Sequence, residues 1–204
     1  MNVMTSCQKV IAGLALASAF AIAQEKRSVV VEKADGGSVT TNLIGTIKVN
    51  GGSSLNRRWF TVNDSTSPVL LTAAGVKPVY NRNSSVGSYA FVPSGAGTAR
   101  SSVKAVKIVF VIFNLWGDRM RNLALTQVMD IGSGGTVPFD GTWYASETDV
   151  QQLYTSLVFV DSVMLADGSI WRSDKKLISA KLDEVQLHVS ETGLDPDPPK
   201  TGGN

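Results

Sequence analysis

Four residue sets in this chain have types and spacings that could do chemistry. Ser101-Ser102-Val103-Lys104 matches S-x-x-K and Lys200-Thr201-Gly202 matches K-T-G, two of the motifs that serine acyl-transferases use. In that chemistry the serine opens a helix, the lysine one turn on acts as base, and K-T-G lines a neighbouring strand. Here the serines stand in a small-residue loop that leads into a strand, Lys200 falls in a proline-rich terminus, and the companion S-D-N motif is absent. His188 is the single histidine, so every histidine-dependent mechanism would hang on it. It alternates with Val185, Leu187 and Val189 on the polar side of a predicted strand, which is the place of a solvent-facing histidine, and no spacing picks out metal-binding partners. The glycine loops "ADGGS", "NGGSS", "PSGAG" and "GSGGT" lack the Gly-Lys-Ser/Thr ending of a phosphate loop and read as turns. Asp161 interrupts the apolar run "SLVFVDSVML". A carboxylate buried there must be paired, with Arg119, Arg121 or Arg172 as candidates, or else reach water at a bulge or edge. Carboxylate hydrolysis near Asp161 is the enzymatic alternative. The primary expectation is a protein with no catalytic site, no metal and no cofactor.

Aromatic residues are the remaining currency. Trp59, Trp116, Trp143, Tyr144 and Trp171 each stand on a strand or beside a turn. Trp59 and Trp171 are expected in the core, whereas Trp116 and Trp143 could equally face a ligand. The candidate binding residues are therefore Trp116, Asp118, Arg119, Asp140, Trp143 and Tyr144, on two loops. Their expected partner is a protein or glycan of the cell envelope. Addition of a strand at an exposed edge is a further possibility.

The segments that must position these residues are short, rich in Val, Ile, Phe and Thr, and punctuated by Gly, Asn, Asp, Ser and Pro, as in an antiparallel β protein. In "KIVFVIFNLWGDRM", Ile108, Phe110 and Ile112 take one face and Val109, Val111 and Phe113 the other, so this strand should be covered on both sides. Residues 147–154 are the expected cover, with a hairpin turn following at Gly117. "SETDVQQLYTS" reads as a short helix from 147 to 154, capped by Ser146, and Asp174 starts a second helical turn. "SGAGTARSS", 94–102, reads as a loop and "EVQLHVSE" as the last strand.

"VKAVKIVFVIFNLWGDRM", a Gly/Thr loop ahead of "VPFDGTW", and "VFVDSVMLADGSIW" together resemble the small immunoglobulin-like sandwiches of secreted bacterial proteins, including the FxLyD type. The resemblance spans about residues 57–190 and implies an antiparallel immunoglobulin-like β-sandwich that binds or scaffolds. "SETDVQQLYTS", inserted between two strands, departs from the pattern.

Residues 1–23 read as a secretory signal: a polar start with Lys9, an apolar run from Val10, and Ala21-Ile22-Ala23 at the cleavage point. That run is short for a bilayer span, which needs about 20 residues. Cleavage removes Cys7, the only cysteine, so no disulfide or thiolate remains. The chain holds 19 Lys plus Arg against 17 Asp plus Glu, and the signal takes away only Lys9. This balance offers no basic field for nucleic acid. The expected organisation is a signal peptide at 1–23, a strand-bearing arm and linker at 24–56, the sandwich at 57–190 and a disordered Pro/Gly tail at 191–204. The product should be periplasmic or extracellular, without a membrane span.

Overall fold

A computed structural model of the chain describes residues 28–33, 37–48, 54–81 and 88–198. The expected signal at 1–23, with Lys9 and Cys7, lies outside them, as does Lys200. The strands are β1 (Ser28–Lys33), β2 (Gly37–Lys48), β3 (Ser54–Asp64), β4 (Val69–Asn81), β5 (Ser88–Ala99), β6 (Val103–Phe113), β7 (Arg119–Ile131), β8 (Thr136–Asp140), β9 (Trp143–Ala145), β10 (Thr155–Leu165) and β11 (Ile170–Arg172). Helix α1 (Glu147–Gln152) precedes β10, helix α2 (Lys175–Glu184) follows β11, and a 3-10 turn spans Glu191–Leu194.

Two sheets result. The larger runs β1-β2-β3-β10-β6-β7, with β11 on the far half of β10; the smaller has β5 at its centre, β4 on one side and β8 and β9 on the other. Most neighbours are antiparallel, as expected of an all-β sandwich, but β3 and β10 run parallel. The chain reaches β10 only after crossing both sheets, so no tight turn constrains its direction to oppose β3. In the segment expected as a strand-bearing arm, β2 pairs with β3 from Gly37↔Asp64 to Lys48↔Ser54, continuing the same sheet.

Strand β6 carries the two-sided pattern into the centre. Ile108, Phe110 and Ile112 meet Val69, Leu71, Val76, Phe91, Val137 and Phe139 between the sheets. Val109, Val111 and Phe113 join Phe60, Val62, Leu157 and Phe159 on the opposite face. Each of these side chains is worth roughly 1.5–3 kcal/mol on burial, so both faces must be covered. The cover of the second face is α2, through Ile178 and Leu182, together with Val189 and Leu194. It is not the 147–154 segment, whose Val150 and Leu153 pack into the core between the sheets.

Local signals placed α1 and α2 well. Ser146 Oγ accepts from the Asp149 N–H while Asp149 Oδ2 accepts from the Ser146 N–H, a capping box, and Asp174 caps α2 through the amides of Lys176 and Leu177. The β6–β7 turn has Gly117 at φ +85°.

Three further expectations change. Residues 94–99 are strand, not loop, because Gly95 and Gly97 let β5 lie against β4 and Phe139: a Cβ on Gly95 would stand 2.2 Å from the Ala73 carbonyl oxygen. "EVQLHVSE" is not a strand. Glu184 ends α2 and Gln186 takes φ 61°, while Val185, Leu187 and Val189 pack beside α2 on the same apolar cluster. Residues 191–198, expected to be disordered, fold onto the larger sheet with the Leu194 side chain fully buried.

Candidate functional site

Strand β7 closes one side of the larger sheet, and β8 and β9 close the same side of the smaller. Near Leu125 the two sheets touch: Gln127 Nε2 donates to the Asp140 carbonyl at 3.2 Å, and Gly141 lies so close to Leu125 that a Cβ would come within 3.3 Å of it. Beyond that contact the sheets part into a lateral cleft of about 740 Å³. Its walls are Met120 to Ala124 of β7, Phe91 of β5, Trp143 and Tyr144 of β9, and Pro196-Asp197-Pro198 of the C-terminal segment. That size falls in the range of about 300–1,000 Å³ typical of ligand sites.

Tyr144 is 79% exposed and stands at the mouth. Trp143 is half-buried, with its ring 5.5 Å from Phe110 in an edge-to-face contact. Five consecutive residues of an edge strand form one wall, so the cleft runs along that edge.

The charged groups around it are engaged. Arg121 donates to Asp149 Oδ2 at 3.0 Å, which ties β7 to the cap of α1. Arg119 donates to Asp197 Oδ1 at 3.2 Å. Asp197 also accepts from the Asn122 N–H through Oδ2, and its own N–H donates to the Asn122 carbonyl, both at 3.0 Å. Asn122 Nδ2 donates to the carbonyls of Gly193 and Asp195 at 2.6 Å each, while its buried Oδ1 has no partner among the described residues. Lys175 pairs with Asp195, so the C-terminal segment is anchored from α2 as well as from β7.

The six expected binding residues divide. Trp143 and Tyr144 line the cleft, and Arg119 braces Asp197 at its rim. Trp116 and Asp118 belong to the neighbouring β6–β7 turn and are not among the lining residues. There Asn114 Oδ1 accepts from the amides of Trp116 and Asp118, and Trp116 is held out, 86% exposed. Asp140 serves through its carbonyl in joining the two sheets, not as part of the cleft wall. Met120, Asn122, Leu123 and the 196–198 segment went unrecognised, because only the packing of the C-terminus on β7 makes them neighbours.

Asp161 is buried at a bulge between Val160 and Ser162. Its partners are Lys107 at 3.3 Å and Lys175 at 3.7 Å, none of the three expected arginines. Arg119 and Arg121 are instead taken by Asp197 and Asp149. Trp59 is in the core as expected, whereas Trp171 is only half-buried and donates through Nε1 to Thr66 Oγ1. His188 is solvent-facing, paired with Asp183 at 2.9 Å. Ser101 and Ser102 form the loop before β6, and Lys104 pairs with Asp130. Burial lowers the Arg57 pKa from its usual value. The Ser169 hydroxyl and amide hold the Asp167 carboxyl below the usual carboxylate range.

Among the described residues no group of three or more His, Cys, Asp or Glu stands together as a metal site would require, and no helix is long and apolar enough to cross a membrane. In comparisons with protein-family models, with curated proteins and with solved structures, the chain matches none.

Proposed function

We propose that this protein is an exported, non-enzymatic binding module of the cell envelope, and that the lateral cleft between β7 and β9 is its ligand face. The observation that carries the reading is the cleft's make-up: an aromatic pair, Trp143 and Tyr144, facing a whole edge-strand segment across about 740 Å³. A binding role is favoured over turnover because the carboxylates beside it already hold structure: Asp149 caps α1 and pairs with Arg121, and Asp197 bridges Arg119 and Asn122. Asp161, seated between two lysines, supports a structural ion pair over a hydrolytic acid. The same reading takes the sandwich as immunoglobulin-like in kind, akin to the FxLyD type. Two packed sheets support that view; the parallel β3–β10 pair and α2 mark this chain's departures.

The test is to immobilise residues 24–204 and offer random peptides and arrayed glycans, comparing the natural protein with Tyr144→Ser. Tyr144 is largely exposed, so its replacement should leave stability within about 0.5 kcal/mol. Saturable binding that drops about tenfold or more in the variant is the expected result, typical of losing an aromatic contact residue. Binding that is indifferent to Tyr144→Ser would remove the cleft from the proposal.

A further inference from the structure

Strand β7 is the last strand of its sheet and pairs with β6 on one side only. From Val111↔Asn122 to Ala105↔Val128 the register runs unbroken, so alternate residues of β7 turn their N–H and C=O toward β6 and the others turn them outward. Asn122 belongs to the outward set, since both its backbone groups bond to Asp197. Parity then places Ala124, Thr126 and Val128 in the same set. Among the described residues no backbone or side-chain bond reaches the outward groups of these three. Ala124 lines the cleft, and the Val128 side chain is 85% exposed.

Free edges of this length are ordinarily blocked by prolines, charges or a covering segment. Here Asp197 fills one rung: its N–H donates to the Asn122 carbonyl as that of an added strand would, and its carboxylate Oδ2 accepts the Asn122 N–H in place of a backbone carbonyl. Pro196 and Pro198 flank it, and the Asp195 N–H, which would serve the next rung, donates to the Thr192 carbonyl instead, so the segment does not continue the ladder there. The opposite wall of the cleft is an edge too, because β9 pairs with β5 alone.

We propose that an extended segment of a partner polypeptide adds to β7 along Ala124, Thr126 and Val128 as a further strand, its end at Ala124 entering the cleft toward Phe91, Trp143 and Tyr144. This deepens the reading of the cleft as a binding face and rests on it. The row of outward groups repeats every second residue, about 6.8 Å, the period of an extended backbone. A polypeptide answers each donor and acceptor in that row, whereas a glycan would engage the aromatic wall and leave the row unpaired. Backbone bonds would supply affinity, and the aromatic wall would select the side chain at the Ala124 end.

The experiment uses random dodecapeptides displayed on phage, panned against residues 24–204, followed by synthesis of the enriched peptides. The enriched peptides should share an apolar residue at one fixed place, the one that meets the cleft beside Ala124. N-methylation of one alternating set of peptide amides should weaken binding by about tenfold or more, and methylation of the other set by no more than about twofold, because only one set faces β7. In the protein, Ala124→Pro removes an outward N–H without cutting the β6–β7 ladder and should weaken binding to a similar extent. The methylation comparison is made on the unaltered protein, so it decides the matter even where that variant fails to fold. Enriched peptides that are indifferent to the methylated set, yet are lost in Tyr144→Ser, would overturn strand addition and leave the cleft as a binding site. Retention of arrayed glycans in place of peptides would do the same. Retention of neither would remove both. Sedimentation showing a dimer that Ala124→Pro dissociates would replace the partner segment with a second copy of this chain.

Discussion

Asp161 interrupts the apolar β10 at a bulge that turns its carboxylate out of the strand's regular alternation, where Lys107 from β6 and Lys175 from the first turn of α2 meet it. The carboxylate is nearly sealed, with 8% of its side chain exposed, while the lysines keep 35% and 27%. Asp161→Asn should therefore destabilise the protein by about 1–3 kcal/mol, below the cost of breaking a wholly buried pair, because both lysines can swing into water. Urea unfolding reads this directly. An unchanged midpoint would show that the bulge alone, without the charge, holds the site. The interruption of an apolar run was legible in the residues, as was the choice between a basic partner and water at a bulge or edge. Which cation answers it was not, since lysine and arginine were equally available and only the placement of α2 brings Lys175 to that point.

Glycine at the element scale is decided by what lies opposite. In β5, Gly95 sits with the Ala73 carbonyl oxygen and the Phe139 ring where a side chain would go, at 2.2 and 2.4 Å from an added Cβ, whereas Gly132 in the β7–β8 turn has nothing within 4 Å. Gly95→Ala should cost about 3 kcal/mol, the upper end for overpacking, and Gly132→Ala should change stability by less than about 0.5 kcal/mol. Thermal unfolding of the two variants side by side checks the contrast. Both glycines fall in small-residue stretches that look like loops along the chain. Strand β5 differs because β4 lies on one side and β8 on the other, and close backbone approach requires the missing side chain. The capping box of Ser146 and Asp149 is the opposite case, complete within one helical turn and readable without any neighbour.

At the scale of the whole molecule, the C-terminal segment unites the second core and the cleft. Leu194 is fully buried among Phe60, Phe113 and Phe159, and the next residues wall the cleft while Lys175 and Arg119 hold Asp195 and Asp197. Leu194→Ala should cost about 2–4 kcal/mol, as for any sealed leucine, despite its place in a run rich in proline and glycine. Chemical denaturation measures it, and a loss under about 1 kcal/mol would mean that the segment contributes little to the fold. The same variant should raise hydrogen exchange at the Asn122 amide, whose acceptor is Asp197.

The amino-acid sequence by itself determined the β character, the two-sided burial of β6, the hairpin turn at Gly117, and the caps of both helices. All of these are written in patterns a few residues long, where periodicity and local hydrogen bonding decide the outcome. Tertiary structure alone decided that α2 and not α1 covers the second face, that 94–99 is strand, that 185–190 is not, and that residues 191–198 settle on β7. Those outcomes depend on which surfaces remain uncovered once the sheets have formed. A buried leucine or a missing Cβ gains its meaning from a neighbour distant along the chain. The cleft belongs to this second class: Trp143 and Tyr144 were visible as candidates, but the edge strand and the proline-flanked aspartate that complete it are brought together only by folding.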